Sequence, residues 1–413
     1  MPVSERRNAV RPPIGLVFPL VDQPARPNES DPDDHRDVCG IVLAGSPHWS
    51  DSPFDRVLRG PLVPVAQTPI ICFSIEWLRR AGIRHAITCA GSATSALRSC
   101  LGDGSALGLP MGYFEDVEPR GPAGCAHDAA RRSHASVFIV VEGCMIPALD
   151  LAALIAAHRR SRASATVVVE IERRRRSLGP ALDVAGGIYV FDRRVLDSVP
   201  ARGYHDIKEG LLERLYKAGE RVLKYEVPGL APRVLDWPTY SSVNRWLISR
   251  SVEEPGFLSE YRRVGDALVH PTASVASTAR LCGPVIVGPA ARIADHALVV
   301  GPTSIGTRSQ VGTFASVSRT VVWEDCVIGA AAVVDASLLA NGATVQLDEQ
   351  VFGAIVIPPH SVPRAATSWI ARLQAPAAAV APALRIVRPP RDFVLPAHPG
   401  PQHHRLDDRP PLR

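Results

Sequence analysis

Residues 285–317 read "VIVGPAARIADHALVVGPTSIGTRSQVGTFASV", and an aliphatic residue returns at every sixth place: Val287, Ile293, Val299, Ile305, Val311 and Val317. An amphipathic helix repeats near 3.6 residues and a half-buried strand near 2, so neither accounts for this spacing. A parallel β-helix does. Each turn of such a solenoid stacks its inward residue on equivalents above and below, while small residues make the corners. Working outward, the register runs back through Val269, Val275 and Leu281. Forward, a one-residue slip leads to Val322, Ile328 and Val334, and a second to Leu339, Val345, Val351 and Ile357. With three six-residue units per turn, residues 267–360 make about five coils.

The segment resembles the left-handed β-helix formed by hexapeptide repeats. Residues 37–250 follow another rhythm: "CGIVLAG", "IRHAITCAG", "SVFIVVEG", "ATVVVEI" and "GGIYVF" are strand-like, and between them lie helical stretches such as "PIICFSIEWLRRAG", "LDLAALIAAHRRS" and "IKEGLLERLYKAG". Strands alternating with helices indicate a doubly wound, mostly parallel, Rossmann-like α/β sheet, whose ligands sit at the carboxyl ends of the strands. The expected fold class is therefore α/β followed by a left-handed parallel β-helix, with residues 251–266 as the linker. Residues 1–36 and 361–413, rich in proline and charge, are expected to be largely disordered tails.

Composition excludes several functions. Of 413 residues, 46% are hydrophobic and 21% charged, ordinary values for a globular chain, and no apolar run reaches the ~20 residues of a membrane span. The first residues, "MPVSERRNAVRPPIGLVFPL", lack a sustained apolar core, so a cytoplasmic location is expected. Eight cysteines lie scattered without CxxC pairs, which suits reduced core thiols better than disulfides or zinc. The net charge of +5 is thinly spread, and its one dense run, "ERRRRS" at 172–177, reads as a solvated loop, so no nucleic-acid partner is expected. Lysine occurs only at Lys208, Lys217 and Lys224.

The order of elements over 37–250, followed by the repeats, resembles the sugar-phosphate nucleotidyltransferases. That family begins with L-A-G-G-x-G-T-R-L-x-P-L-T and continues to P-K-P-L-x-P-V; here "LAG" at 43–45, Pro53 and "PLVPV" at 61–65 match without a gap. The resemblance implies transfer of a nucleotidyl group from a nucleoside triphosphate to a sugar 1-phosphate, with pyrophosphate leaving. Such chemistry gathers several negative charges, so it depends on close backbone amides, cationic side chains and Mg²⁺. By resemblance Leu43, Ala44 and Gly45 contact the nucleotide. The family's second and third glycines fall at Ser46 and His48, its threonine at Trp49, its arginine at Ser50 and its lysine at Gly60. Arg56 and Arg59 are the candidate replacement charges, although a guanidinium fork does not reproduce an ammonium. Trp49 and Phe54 are expected to fill the emptied loop.

Further landmarks repeat this pattern. "RGPAGCAHDAA" at 120–130 resembles the base-contacting G-T-A-G segment, keeping Gly121, Ala123 and Gly124 but placing Pro122 at the threonine. "FIVVEGCMIPALDLAALIAAHRRS" at 138–161 resembles the segment whose aspartate after N-G anchors Mg²⁺; that position is Cys144, and a thiol is a poor ligand for a hard cation. Glu142 is expected to point to the opposite side, so it is not a ready substitute. The E-K-P sugar segment has no counterpart, and N-A-G-I-Y-V-F becomes "AGGIYVF", with Ala185 at the asparagine and Gly187 kept at the sugar. Asp236 in "VLDWPTYSSVNRWL" stands near a second metal aspartate, or equally as a helix N-cap.

Scaffold positions survive while charged, metal and sugar positions change together. The expectation is a catalytically impaired, nucleotide- or nucleotide-sugar-binding or regulatory subunit of nucleotide-sugar or polysaccharide biosynthesis. It would oligomerise with itself or with an active paralogue through the β-helix, and Mg²⁺ is implied only for an active enzyme. Two alternatives stay open: an active nucleotidyltransferase with a rearranged site (Arg56, Arg59, Glu142, Asp236), and a hexapeptide-repeat acyltransferase whose base would be His270, His296 or His360, each of which also reads as a surface corner.

Overall fold

The structure is a computed structural model describing residues 35–45, 60–171, 183–228, 231–254 and 256–358. The expected tails, the loop carrying Trp49, Phe54, Arg56 and Arg59, the arginine run at 172–177 and His360 lie outside the described residues.

The first part alternates strands and helices: β1 (Val38–Leu43), β2 (Pro64–Val65), β3 (Thr68–Pro69), α1 (Ile71–Arg80), β4 (Ala86–Ala90), α2 (Thr94–Leu101), β5 (Met111–Glu115), α3 (Gly121–Ala130), β6 (Val137–Glu142), α4 (Leu151–Ser161), β7 (Ala165–Ile171), β8 (Asp183–Asp192), α5 (Arg193–Asp197), α6 (Glu213–Lys217), β9 (Val222–Pro228) and α7 (Trp237–Glu253). Seven strands form one sheet in the order β5-β4-β1-β6-β8-β7-β9. All its neighbours run parallel except β8, which is antiparallel to both β6 and β7. Successive side chains alternate between its faces. Val42 and Ile139 join α1 and α4 in one core, whereas Ile41, Phe138 and Val140 join α3 and α5 in the other. Helices therefore cover both faces, as the sequence predicts. All eight cysteines are free, and all but Cys282 are buried.

From β10 (Arg262–Val264), which pairs antiparallel with Ala267–Val269, the chain enters the left-handed β-helix. Its three parallel faces stack Val269 on Val287, Ile305, Val322 and Leu339; Val275 on Ile293, Val311, Ile328 and Val345; and Leu281 on Val299, Val317, Val334 and Val351. The sixfold spacing is thus the core of the solenoid. One position is corrected. Leu339 stacks on Val356, not Ile357. The corner that tightened after Val317 and Val334 tightens again after Val351, and Ile357 packs outside the solenoid against the α7 cluster.

Helix α7 lies between the two parts. Tyr240, Val243, Leu247 and Ile248 pack with Leu268, Ile286, Val321 and Leu338 from the outer side of one β-helix face, and with Val63, Val65 and Ile70 from the α/β part. Polar bonds fix the seam: Trp323 Nε1 donates to Tyr240 Oη at 2.8 Å, Tyr240 Oη donates to the Pro64 carbonyl at 2.8 Å, and the Ala66 amide donates to Asn244 Oδ1 at 3.0 Å. "PLVPV" therefore has a packing role in the seam. Among the described residues, no helix is long and apolar enough to cross a membrane.

Candidate functional site

The carboxyl ends of β1, β4, β6 and β7 lie on one side of the sheet. At the end of β1, Ala44 is buried and its amide bonds the Cys89 carbonyl at 2.7 Å, while the Gly143 amide bonds the Leu43 carbonyl at 2.9 Å. These bonds hold the ends of β1, β4 and β6 together. Gly45 is exposed, and a Cβ built there meets nothing within 4 Å among the described residues. Gly60, at the family's lysine position, is buried at the start of a short 3-10 turn, Gly60–Leu62.

The segment that resembles the family's base-contacting one opens α3. Its backbone is partly engaged: the Ala123 amide donates to the His205 carbonyl at 3.0 Å, and the His205 amide to the Arg120 carbonyl at 2.7 Å. At Gly121 φ is +74°, and a Cβ would stand 2.6 Å from the His205 carbonyl oxygen, so only glycine fits beneath this loop. Next to it, Tyr204 is exposed. The Arg120 guanidinium turns back to pair with Asp128.

The decisive geometry lies at the ends of β6, β7 and β8. Residues 144–146 pair with the segment leading to α7: Val234 N–H donates to the Cys144 carbonyl and Ile146 N–H to the Pro232 carbonyl, both at 2.9 Å, with Met145 bridged to Arg233. This pairing delivers the Arg233 side chain, 15% exposed, to two carboxylates. Its Nη2 stands 3.3 Å from Glu170 Oε1, and its Nη1 stands 3.7 Å from Glu142 Oε2. Glu170 is buried, and its Oε1 also accepts the Ala231 amide at 3.1 Å. Burial raises its carboxyl pKa above the ordinary value, against the opposing pull of Arg233. Between the carboxylates, in the middle strand, lie Gly186 and Gly187. Gly187 has φ +66°, and a Cβ there would come 2.6 Å from Glu142 Cδ. The kept glycine therefore accommodates a carboxylate of the protein itself.

Cys144 is 9% exposed, and its thiol is pushed up to about 12, first by burial, then by the Glu142 charge, with Arg233 opposing. Glu142 and Cys144 thus share one electrostatic neighbourhood. The expected opposite placement assumes a strand running on to Cys144; β6 ends at Glu142 and Cys144 lies in the turn beyond it, so that premise does not hold. Glu142 is the last residue of β6, and its charge faces Arg233.

Asp236 is the N-cap of α7. Its Oδ1 accepts the Thr239 amide at 2.8 Å and the Thr239 hydroxyl at 2.7 Å. Mg²⁺ requires a nearly octahedral set of oxygen ligands. Position 144 offers a buried neutral thiol, Asp236 is engaged in capping, and no group of three or more His, Cys, Asp or Glu among the described residues could hold a metal ion. These residues do not fit the cation that the family resemblance implies.

Sequence reasoning did not single out Arg233, Glu170 or Asn244. Arg233 carries no motif, and only the pairing of residues 144–146 with the segment before α7 brings it to the site. In the β-helix, His270 Nδ1 lies 2.8 Å from Thr272 Oγ1, with its Nε2 3.5 Å from Glu260, and the His296 ring stacks on exposed Phe314. His296 is exposed at a corner of the coils, whereas the His270 side chain is mostly covered and meets the Tyr261 ring.

Residues 41–180 match the family described as Nucleotidyl transferase. The chain is 25% identical over 264 residues to mannose-1-phosphate guanylyltransferase of Mycobacterium tuberculosis, covering 59% of this chain and 73% of that protein. It is 33% identical over 85 residues to glucose-1-phosphate thymidylyltransferase of Streptomyces griseus, covering 21% of this chain and 24% of that one. With UTP–glucose-1-phosphate uridylyltransferase of Synechocystis it shares 24% identity over 214 residues, which is 43% of this chain and 55% of the relative. The α/β sheet, the "LAG" and glycine segments and these matches agree: residues 41–180 are similar to the nucleotidyl transferase family, and a left-handed β-helix follows the α/β part.

Proposed function

We propose that this chain binds a nucleotide or nucleotide sugar at the carboxyl ends of β1 and β6 without conventional nucleotidyl transfer, as a cytoplasmic binding or regulatory subunit in nucleotide-sugar or polysaccharide biosynthesis. The observation that carries this reading is position 144: a buried thiol, protonated at neutral pH, stands where the family resemblance requires a metal-binding carboxylate. A second support is the direct antiparallel pairing of β7 with β8, joined by residues 172–182, where the sequence has no E-K-P segment for the sugar. Losing one catalytic donor typically lowers a rate by about 10²–10³. Here the arginine, lysine and metal-carboxylate positions of the family are Ser50, Gly60 and Cys144.

One β-helix face is covered by α7, so a partner, whether a second copy or an active paralogue, would use the other two faces. The test is calorimetric titration with nucleoside triphosphates and nucleotide sugars, beginning with GTP and GDP-mannose because of the mannose-1-phosphate guanylyltransferase relative, alongside a pyrophosphate-release assay. Binding without release supports the reading. Mg²⁺-dependent release at ordinary enzymatic rates overturns it in favour of an active transferase.

A further inference from the structure

We propose that Arg233 is a built-in cation: its guanidinium takes the seat between the Glu142 and Glu170 carboxylates that a divalent ion could otherwise fill, so the site excludes Mg²⁺. Three strands build the seat. Glu142 ends β6 and Glu170 lies one residue before the end of β7, while β8 runs between them in the sheet. There β8 presents Gly186 and Gly187. A Cβ at the first would meet Glu170 Cγ at 3.2 Å, and one at the second would meet Glu142 Cδ at 2.6 Å. Both carboxylates therefore pack against a stretch of β8 without side chains, and the Glu142 charge adds to the field at Glu170.

Converging carboxylate oxygens are what a hard divalent cation seeks. In this chain the positive charge comes from Arg233, held in place by the backbone pairing of residues 144–146 with 232–234. Its position is not that of a well-made fork. Only Nη2 reaches hydrogen-bond distance of a carboxylate, Nη1 stands 3.7 Å away, and buried Nε has no hydrogen-bond partner among the described residues. The guanidinium therefore acts as a charge beside both carboxylates and not as a paired fork. Leaving two facing carboxylates uncompensated would be costly, so removing the guanidinium should create affinity for a replacement cation. The inference goes beyond nucleotide binding and stands or falls separately from it.

The test is Mn²⁺ titration of the full chain, by calorimetry and by the electron paramagnetic resonance of free Mn²⁺, with thermal melts in chelator and in Mg²⁺. The wild type should take up no Mn²⁺ at this site and melt identically in both solutions. Arg233→Met should bind one Mn²⁺ per chain and melt higher when it is added. Should that variant fail to fold, Arg233→Gln, which keeps a donor toward Glu170, serves the same comparison. Arg233→Lys, keeping the charge, should remain indifferent to Mn²⁺, which a purely structural role for the side chain would not require. Wild-type Mn²⁺ uptake that Glu142→Gln abolishes overturns the inference, as does a folded Arg233→Met or Arg233→Gln chain that gains no Mn²⁺ affinity.

Discussion

Replacing Tyr240 by phenylalanine tests the seam that joins the two parts of the chain. The ring of Tyr240 is fully buried, and Phe keeps it, so the transfer of apolar surface is unchanged. Only the hydroxyl is lost. That group accepts from Trp323 Nε1 and donates to the Pro64 carbonyl, each at 2.8 Å, linking the β-helix, α7 and the β2 segment through one atom. Each buried polar group left unpaired costs about 1–3 kcal/mol. Because both partners share one hydroxyl, the summed loss should be about 2–6 kcal/mol. Equilibrium urea unfolding followed by tryptophan fluorescence measures it. The Trp323→Phe and double variants should close a cycle with a coupling of about 0.5–3 kcal/mol. A Tyr240→Phe change below about 0.5 kcal/mol, the level of an ordinary surface substitution, would refute the assignment of this hydroxyl as the junction.

Other outcomes follow from the site. The folded-state pKa of Glu170 is raised, so this group favours the fold below its unfolded value of about 4.3 and opposes it as pH rises through the folded value. Melting temperatures of Glu170→Gln relative to wild type should therefore improve as pH rises from the unfolded value through the raised folded one; a constant or reversed difference would contradict the burial argument. Cys144, at about 12, carries almost no thiolate near neutral pH, whereas Cys282 is the least buried of the eight thiols. A disulfide exchange reagent should label Cys282 first and Cys144 only on unfolding, and mass-spectrometric mapping that finds Cys144 modified early would count against its buried placement. Gly187→Ala places a Cβ against Glu142 at a left-handed backbone position and should destabilise the chain by about 1–3 kcal/mol, read by calorimetric melting; an unchanged melt would mean that Glu142 does not lie there.

The solenoid was readable because its physics is local and repetitive. Val287, Val299 and their equivalents must recur at fixed distance along the chain for one coil to stack on the next. Only the last step, Val356 in place of Ile357, escaped, since a shortened corner leaves both neighbouring aliphatics plausible. The α/β order was likewise visible in alternating strand and helix patterns, although the antiparallel setting of β8 is a property of pairing and not of any one segment.

The site divides the same way. What stands at position 144 and at the glycine segments is a matter of sequence, and the substitution of a thiol for a carboxylate needs no coordinates. Which charges gather beside it is not. Arg233 meets Glu142 and Glu170 because residues 144–146 pair with the chain entering α7, and Asp236 is directed to Thr239 by the helix that begins there. By itself the sequence determined which elements form and which residues stand at the motif positions, because both depend on residue type and short-range spacing. The tertiary structure alone decided which distant charges face one another, because Coulomb energy depends on separation in space and not along the chain.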